Sequence, residues 1–255
     1  YAFSRIADDI ADELTDIDPE RRIKALDRMK ERLDDHIPDF PANPIFAALN
    51  YTMRKLAIPE DVPARLIEAF KQDVNFRQPD DWDNLMNYCD KSANPVGELI
   101  LRIFDDFDEN TKKYSDMICT GLQLVNFWQD LSRDILKKRY YIPKKILEKY
   151  DINELNLQEK KNSHKIRLCL NEIYEKTEGF FQEGRKLVPL LSSLRLRLEI
   201  AATVYGGRKV LKMTRKKGIK ILQERPSVKY FGKFAIAFKT LLNPAVIFKW
   251  NLSRK

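Results

Sequence analysis

Gln123–Asp134 reads QLVNFWQDLSRD, and its spacing predicts a buried helix with one polar stripe. Leu122, Leu124, Val125, Phe127, Trp128 and Leu131 cover most sides, while Gln123, Asn126, Asp130 and Asp134 fall at i, i+3, i+7 and i+11. A buried carboxylate without a partner is very costly. Asn126, Asp130 and Asp134 therefore call for cations, and Arg133 alone does not suffice. A second acidic stripe opens the chain in YAFSRIADDIADE, where Tyr1, Arg5, Asp8 and Asp12 fall at i, i+4, i+7 and i+11.

A hard divalent cation answers both stripes. Mg²⁺ takes oxygen ligands, keeps its waters, and is held by one or two carboxylates plus phosphate oxygens. Two acidic helices facing each other across a cavity could clamp a diphosphate through several Mg²⁺ ions and help a carbon–oxygen bond ionise. The apolar remainder of the cavity would house a greasy chain and a carbocation. Taken alone, DDIADE is also what a solvated acidic face looks like; the apolar setting of the second stripe favours the metal reading. Two other acidic clusters read as structural. Asp105, Asp106, Asp108 and Glu109 lie at a helix end, and Asp80, Asp81 and Asp83 suit a helix cap and first turn.

Glycine is scarce, with 8 in 255 residues, and alternating strand patterns are hard to find. Periodicity predicts helices over 1–16, 20–34, 43–57, 60–73, 80–104, 111–136, 143–149, 162–186 and 190–222, with a loop over HIPDFPANP. The expectation is an all-α fold, one helical domain over 1–222 followed by a basic, aromatic-rich extension over 223–255. Tyr1 falls inside a helix with no cap before it, so further helices upstream are expected. Cys89, Cys119 and Cys169 match no disulfide framework or metal motif and read as reduced core thiols. His36 and His164 have no partner at ligand spacing and read as surface residues. No run approaches the ~18 apolar residues of a membrane span.

Net charge is +8, concentrated at one end: residues 205–255 hold 14 Lys and Arg against Glu224 alone. Such asymmetry points to an anionic partner. From Tyr230, Phe231, Phe234, Phe238, Phe248 and Trp250 alternate with Lys233, Lys239 and Lys249. That pattern suits a peripheral membrane contact, although core packing with solvated lysines fits as well. Nucleic acid is not expected, because no RNA- or zinc-binding pattern is present.

These residues resemble the squalene/phytoene synthase family of head-to-head prenyl synthases. Y-x-F-x-R-x-x-D-D-x-x-D-E at Tyr1–Glu13 looks like its first aspartate motif and N-F-W-Q-D-x-x-x-D at Asn126–Asp134 like its second. Y-C-x-x-S-A-N-P-V-G at Tyr88–Gly97 resembles the central kinked helix, with Pro95 breaking the backbone there, and R-Y-Y-I-P at Arg139–Pro143 resembles the following loop. S-A-N-P-V-G and N-F-W-Q-D are most similar to the hydroxysqualene synthase branch, and Gln129 stands where an arginine is common.

The resemblance implies an isoprenoid-synthase-type helical bundle around a central apolar cavity. It implies Mg²⁺ ligation by Asp8, Asp12, Asn126 and Asp130 with Asp134 near them. Diphosphate contacts would come from Arg5, Arg139 and Tyr141, with Gln123 on the same stripe, and Tyr1 and Tyr88 would face the reacting carbons. In this branch presqualene diphosphate ionises, rearranges and is captured by water, so NADPH is not expected. A cytoplasmic enzyme at the inner face of the membrane fits such a substrate. The competing readings are a squalene, phytoene or presqualene diphosphate synthase joining two prenyl diphosphates, a terpene cyclase, and a non-enzymatic relative; the intact aspartates argue against the last.

Overall fold

A computed structural model describes residues 1–14, 16–33, 43–159 and 163–226. Among them every regular element is helical: α1 (Ala2–Asp8), α2 (Pro19–Glu31), α3 (Pro44–Lys55), α4 (Asp61–Val74), α5 (Trp82–Ser92), α6 (Asn94–Ile103), α7 (Glu109–Leu136), α8 (Lys144–Lys149), α9 (Glu154–Glu159), α10 (Ser163–Gly184) and α11 (Leu194–Lys217). The all-α expectation holds. Most boundaries agree within a few residues, and α9 is an addition.

The long α7 is the centre of the bundle, because it has apolar residues to bury on most sides. Leu124, Val125, Phe127, Trp128 and Leu131 are all buried. Trp128 is fully enclosed, and its indole Nε1 donates to Thr177 Oγ1 on α10 at 2.8 Å. A Cβ on Gly207 of α11 would lie 2.7 Å from Phe181 Cζ and 2.8 Å from Leu122 Cδ2, so α11 reaches α10 and α7 through the missing side chain. A smaller cluster of Phe3, Leu26, Met29, Phe46 and Ile67 holds α1 to α2, α3 and α4.

Three departures from the sequence reading matter for the site. The helix expected over 1–16 is α-helical only to Asp8; Asp9–Glu13 forms a wider π turn, closed by Leu14 N donating to Asp9 O at 3.2 Å. Buried Arg22 on α2 donates to Ala11 O at 2.8 Å and satisfies a carbonyl within that turn. The helix expected over 80–104 breaks at Ala93 (φ −126°, ψ −46°), with Pro95 in the first turn of α6, where its missing N–H costs nothing. The polar group at this break is tied into the fold: Asn94 Oδ1 accepts from Thr120 Oγ1 of α7 at 3.1 Å. The helix expected over 190–222 begins at Leu194 and ends at Lys217, where Gly218 takes φ +54°.

The acidic clusters read as structural are so. Asp106 is buried and accepts from Ser192 N at 2.9 Å, Asp108 caps α7, and Asp81 caps α5. The cysteines are free, and burial pushes each thiol up to about 12. His164 is exposed, whereas His36 and the aromatic, lysine-rich stretch from Tyr230 lie outside the described residues. No helix among the described residues is long and apolar enough to cross a membrane.

Candidate active site

The C-terminus of α7 ends in a Schellman motif. Lys138 adopts φ +55°, its N–H reaches Ile135 O at 3.1 Å, and Arg139 N reaches Asp134 O at 2.8 Å. This reversal carries Arg139 back over the polar stripe of its own helix. Arg139 Nη1 donates to Asp12 Oδ1 at 3.1 Å, which ties the C-terminal end of α7 to the π turn after α1. Burial works against the Arg139 charge, but Asp12, Tyr141 and Asp73 outweigh it and raise its pKa.

Two adjoining cavities meet at this contact. One of about 500 Å³ is lined by Asp12, Gln123, Asn126, Asp130, Asp134 and Arg139. The other, about 220 Å³, has Asp8, Asp12, Gln123 and Arg139 at its polar side and Phe70, Tyr88, Phe127 and Tyr141 among its walls. Tyr141 stacks on Phe127 with ring centroids 3.8 Å apart and planes 9° from parallel. Two predicted features thus occur together: acidic residues from separate helices on one cavity, and an aromatic chamber beside it.

The carboxylates of the site are unevenly compensated: Arg133, Lys137 and Arg139 line the larger cavity with Asp12, Asp130 and Asp134, whereas in the smaller one Asp8, Asp12 and Asp73 face Arg139. Burial and repulsion from Asp12 raise the Asp8 carboxyl against the pull of Arg5. Burial and Asp130 push Asp134 up to about 6. Asp130 itself is held by Arg225, whose Nη2 lies 3.3 Å from Oδ2 while Nε sits on Oδ1. The donor set of Asp8, Asp12, Asn126, Asp130 and Asp134 is all oxygen and clustered, and so fits a hard divalent cation. Among the described residues, no three carboxylate, imidazole or thiol groups already converge as a metal cage. The five residues line a shared space rather than one preformed centre.

Tyr1 and Arg5 are not brought into these cavities. Tyr1 precedes the first turn of α1 and is fully exposed. Arg5 lies on the outer side of α1, where it pairs with Asp8 at 2.9 Å, Asp9 at 2.5 Å and Glu13. Those ion pairs hold the Arg5 guanidinium away from the cavities, while the π turn, which shifts the residues after Asp8, sets the direction of Asp12.

Two residues of the site escaped sequence reading. Asp73, near the end of α4, accepts from Tyr88 Oη at 2.8 Å, and burial pushes it up to about 7 against that hydrogen bond. It stands alone among apolar and amide neighbours, with no acidic pattern to mark it. Arg225 sits in the basic segment, which charge counting assigned to an anionic partner without singling out any residue. It is steered here by Pro226, whose carbonyl accepts from buried Gln129 Nε2 at 2.7 Å.

A family model described as squalene/phytoene synthase matches residues 1–231. The chain is similar to the hydroxysqualene synthase of Sinorhizobium fredii, 30% identical over 214 residues, which cover 84% of this chain and 72% of that protein. The hydroxysqualene synthase of Rhodopseudomonas palustris is 28% identical with the same coverage. Among solved structures, the squalene synthase HpnC from Alicyclobacillus acidocaldarius superposes with a TM-score of 0.79 at 33% identity, covering 86% of this chain and 81% of that one.

Proposed function

The chain belongs to the squalene/phytoene synthase family of prenyltransferase-type enzymes, and from that premise we propose that it converts presqualene diphosphate and water to hydroxysqualene and diphosphate, with Mg²⁺ as its metal. The observation that carries this reading is the shared cavity: Asp12 of the first acidic segment and Asn126, Asp130 and Asp134 of the second line one space, which adjoins an aromatic chamber.

Bound between these carboxylates, Mg²⁺ would neutralise charge on the departing diphosphate. The protein's own part follows from its residues. Arg139, at the meeting point of the cavities, presents a guanidinium whose fork matches phosphate oxygens. Its position over Asp12 lets it move from carboxylate to diphosphate over a short distance. Tyr88, Phe127 and Tyr141 offer aromatic faces to the cation left after ionisation. The net reaction exchanges a carbon–oxygen bond to diphosphate for one to water, so no reductant such as NADPH is needed. We propose further that the basic segment brings the enzyme to the inner membrane face, where such a substrate resides.

The test is a diphosphate-release assay on the full chain. Release should require Mg²⁺ and fall by at least about 10²-fold in both Asp12→Asn and Asp130→Asn, with circular dichroism unchanged. Undiminished release in both variants would remove the basis for the reading.

A further inference from the structure

A third cavity, a groove of about 590 Å³, opens on the opposite side of the aromatic wall. Its lining is rich in amides, including Gln72, Asn75, Asn84 and Asn87, of which all four are exposed to solvent. Tyr88 and Tyr141 line both this groove and the small chamber beside Asp8 and Asp12. These two side chains therefore stand between the solvent-exposed groove and the chamber. The Tyr88 hydroxyl is fixed within it by its 2.8 Å hydrogen bond to Asp73 Oδ1, and Asp73 itself lines the chamber. Around Asp73 stand Asp8, Asp12 and Arg139 on the chamber side and Tyr88 and Tyr141 in the wall.

This arrangement answers a problem that the proposed reaction poses, and the inference rests on that reading. Water must reach the cation only after rearrangement, and the chamber's charged groups Asp8, Asp12 and Arg139 are those that the proposed reaction engages with metal and diphosphate. We propose that the amide-lined groove is the water entrance for the capture step, with Tyr88 as relay and the Asp73 carboxylate as proton acceptor. The water oxygen forms the new bond to carbon. As it does so it gives one proton to Tyr88 Oη, which passes its own to Asp73 Oδ1. Charge balances: cation, water and carboxylate become alcohol and carboxylic acid. Where water does not arrive, the cation gives a proton to the departed diphosphate and becomes a hydrocarbon instead. Water entry through the groove and proton acceptance by Asp73 thus set product identity, whereas ionisation is driven from the metal and diphosphate side of the site.

The experiment supplies presqualene diphosphate and Mg²⁺ to the full chain and reads diphosphate release beside the ratio of alcohol to hydrocarbon. Gln72→Leu and Asn87→Leu dry the groove from exposed positions. Each is expected to leave diphosphate release within about twofold of the parent while the alcohol share falls severalfold. Asp73→Asn keeps an acceptor for Tyr88 but cannot take a proton; it should shift products the same way, and Asp73→Glu should restore part of the alcohol. An unchanged ratio in the two leucine variants and Asp73→Asn, or a parallel loss of release and alcohol in all of them, overturns the inference. If the parent releases diphosphate but makes no alcohol, the functional reading fails along with it.

Discussion

Arg225 forms a two-pronged ion pair with Asp130, Nη2 to Oδ2 at 3.3 Å and Nε on Oδ1, across 95 residues of sequence. The pair places a protein cation where the proposed function requires a metal. Both partners are partly exposed, the side chains at 37% and 27%, so the interaction is worth no more than about 1 kcal/mol. Its competition with Mg²⁺ is correspondingly modest. Arg225→Gln should tighten Mg²⁺ binding, read by calorimetry without substrate, by up to roughly fivefold. Weaker binding in that variant would mean that Arg225 supports the metal rather than standing in for it.

Asp73 and Asp134 lead to a pH prediction. Both are held above the ordinary carboxyl value, at about 7 and about 6, chiefly by burial. The folded state therefore binds more protons than the unfolded chain between about pH 4 and pH 7, and unfolding free energy falls as pH rises through that window. Without Mg²⁺, the melting temperature should decline from pH 5 through pH 7 and level off above about pH 8. Asp73→Asn should flatten the upper part of that slope. Melting curves at four pH values in metal-free buffer check it, and a rise across the window would contradict the burial of these groups.

The contact of Gly207 with Phe181 and Leu122 concerns the scaffold rather than the chemistry. A Cβ there would come within 2.9 Å of three side-chain atoms, two of them on a fully buried ring. Gly207→Ala should therefore cost about 1–3 kcal/mol through overpacking. For a domain of this size that is a fall in melting temperature of roughly 3–10 °C, with Mg²⁺ dependence unchanged. An unaltered melting temperature would show that α10 and α11 give way easily.

Much of this was legible in the sequence because it is written in helical spacing. The burial of Trp128 and Phe127 and the exposure of Asp130 and Asp134 to a cavity follow from one apolar helix with a single polar stripe. The break before Pro95 was equally visible. What spacing could not show was a change of helix type. Asp8 and Asp12 were placed with Arg5 on one stripe by assuming a continuous α-helix; Asp8 keeps its contact with Arg5, whereas the π turn over Asp9–Glu13 carries Asp12 to Arg139 instead. Nor could it show contacts over long separations. Asp73 meets Tyr88 and Arg225 meets Asp130 through packing of separate segments; Asp73 lies in no acidic cluster, and Arg225 is one of the 14 basic residues of its segment with nothing in the sequence to single it out.

The central claim is water capture by a prenyl-diphosphate enzyme, and product identification tests it most directly. The full chain would be given presqualene diphosphate or farnesyl diphosphate separately, with Mg²⁺ and without NADPH, and products identified by mass spectrometry. The account predicts an alcohol from presqualene diphosphate and no consumption of farnesyl diphosphate. Conversion of farnesyl diphosphate to a condensed product, or no turnover of either substrate, would contradict it.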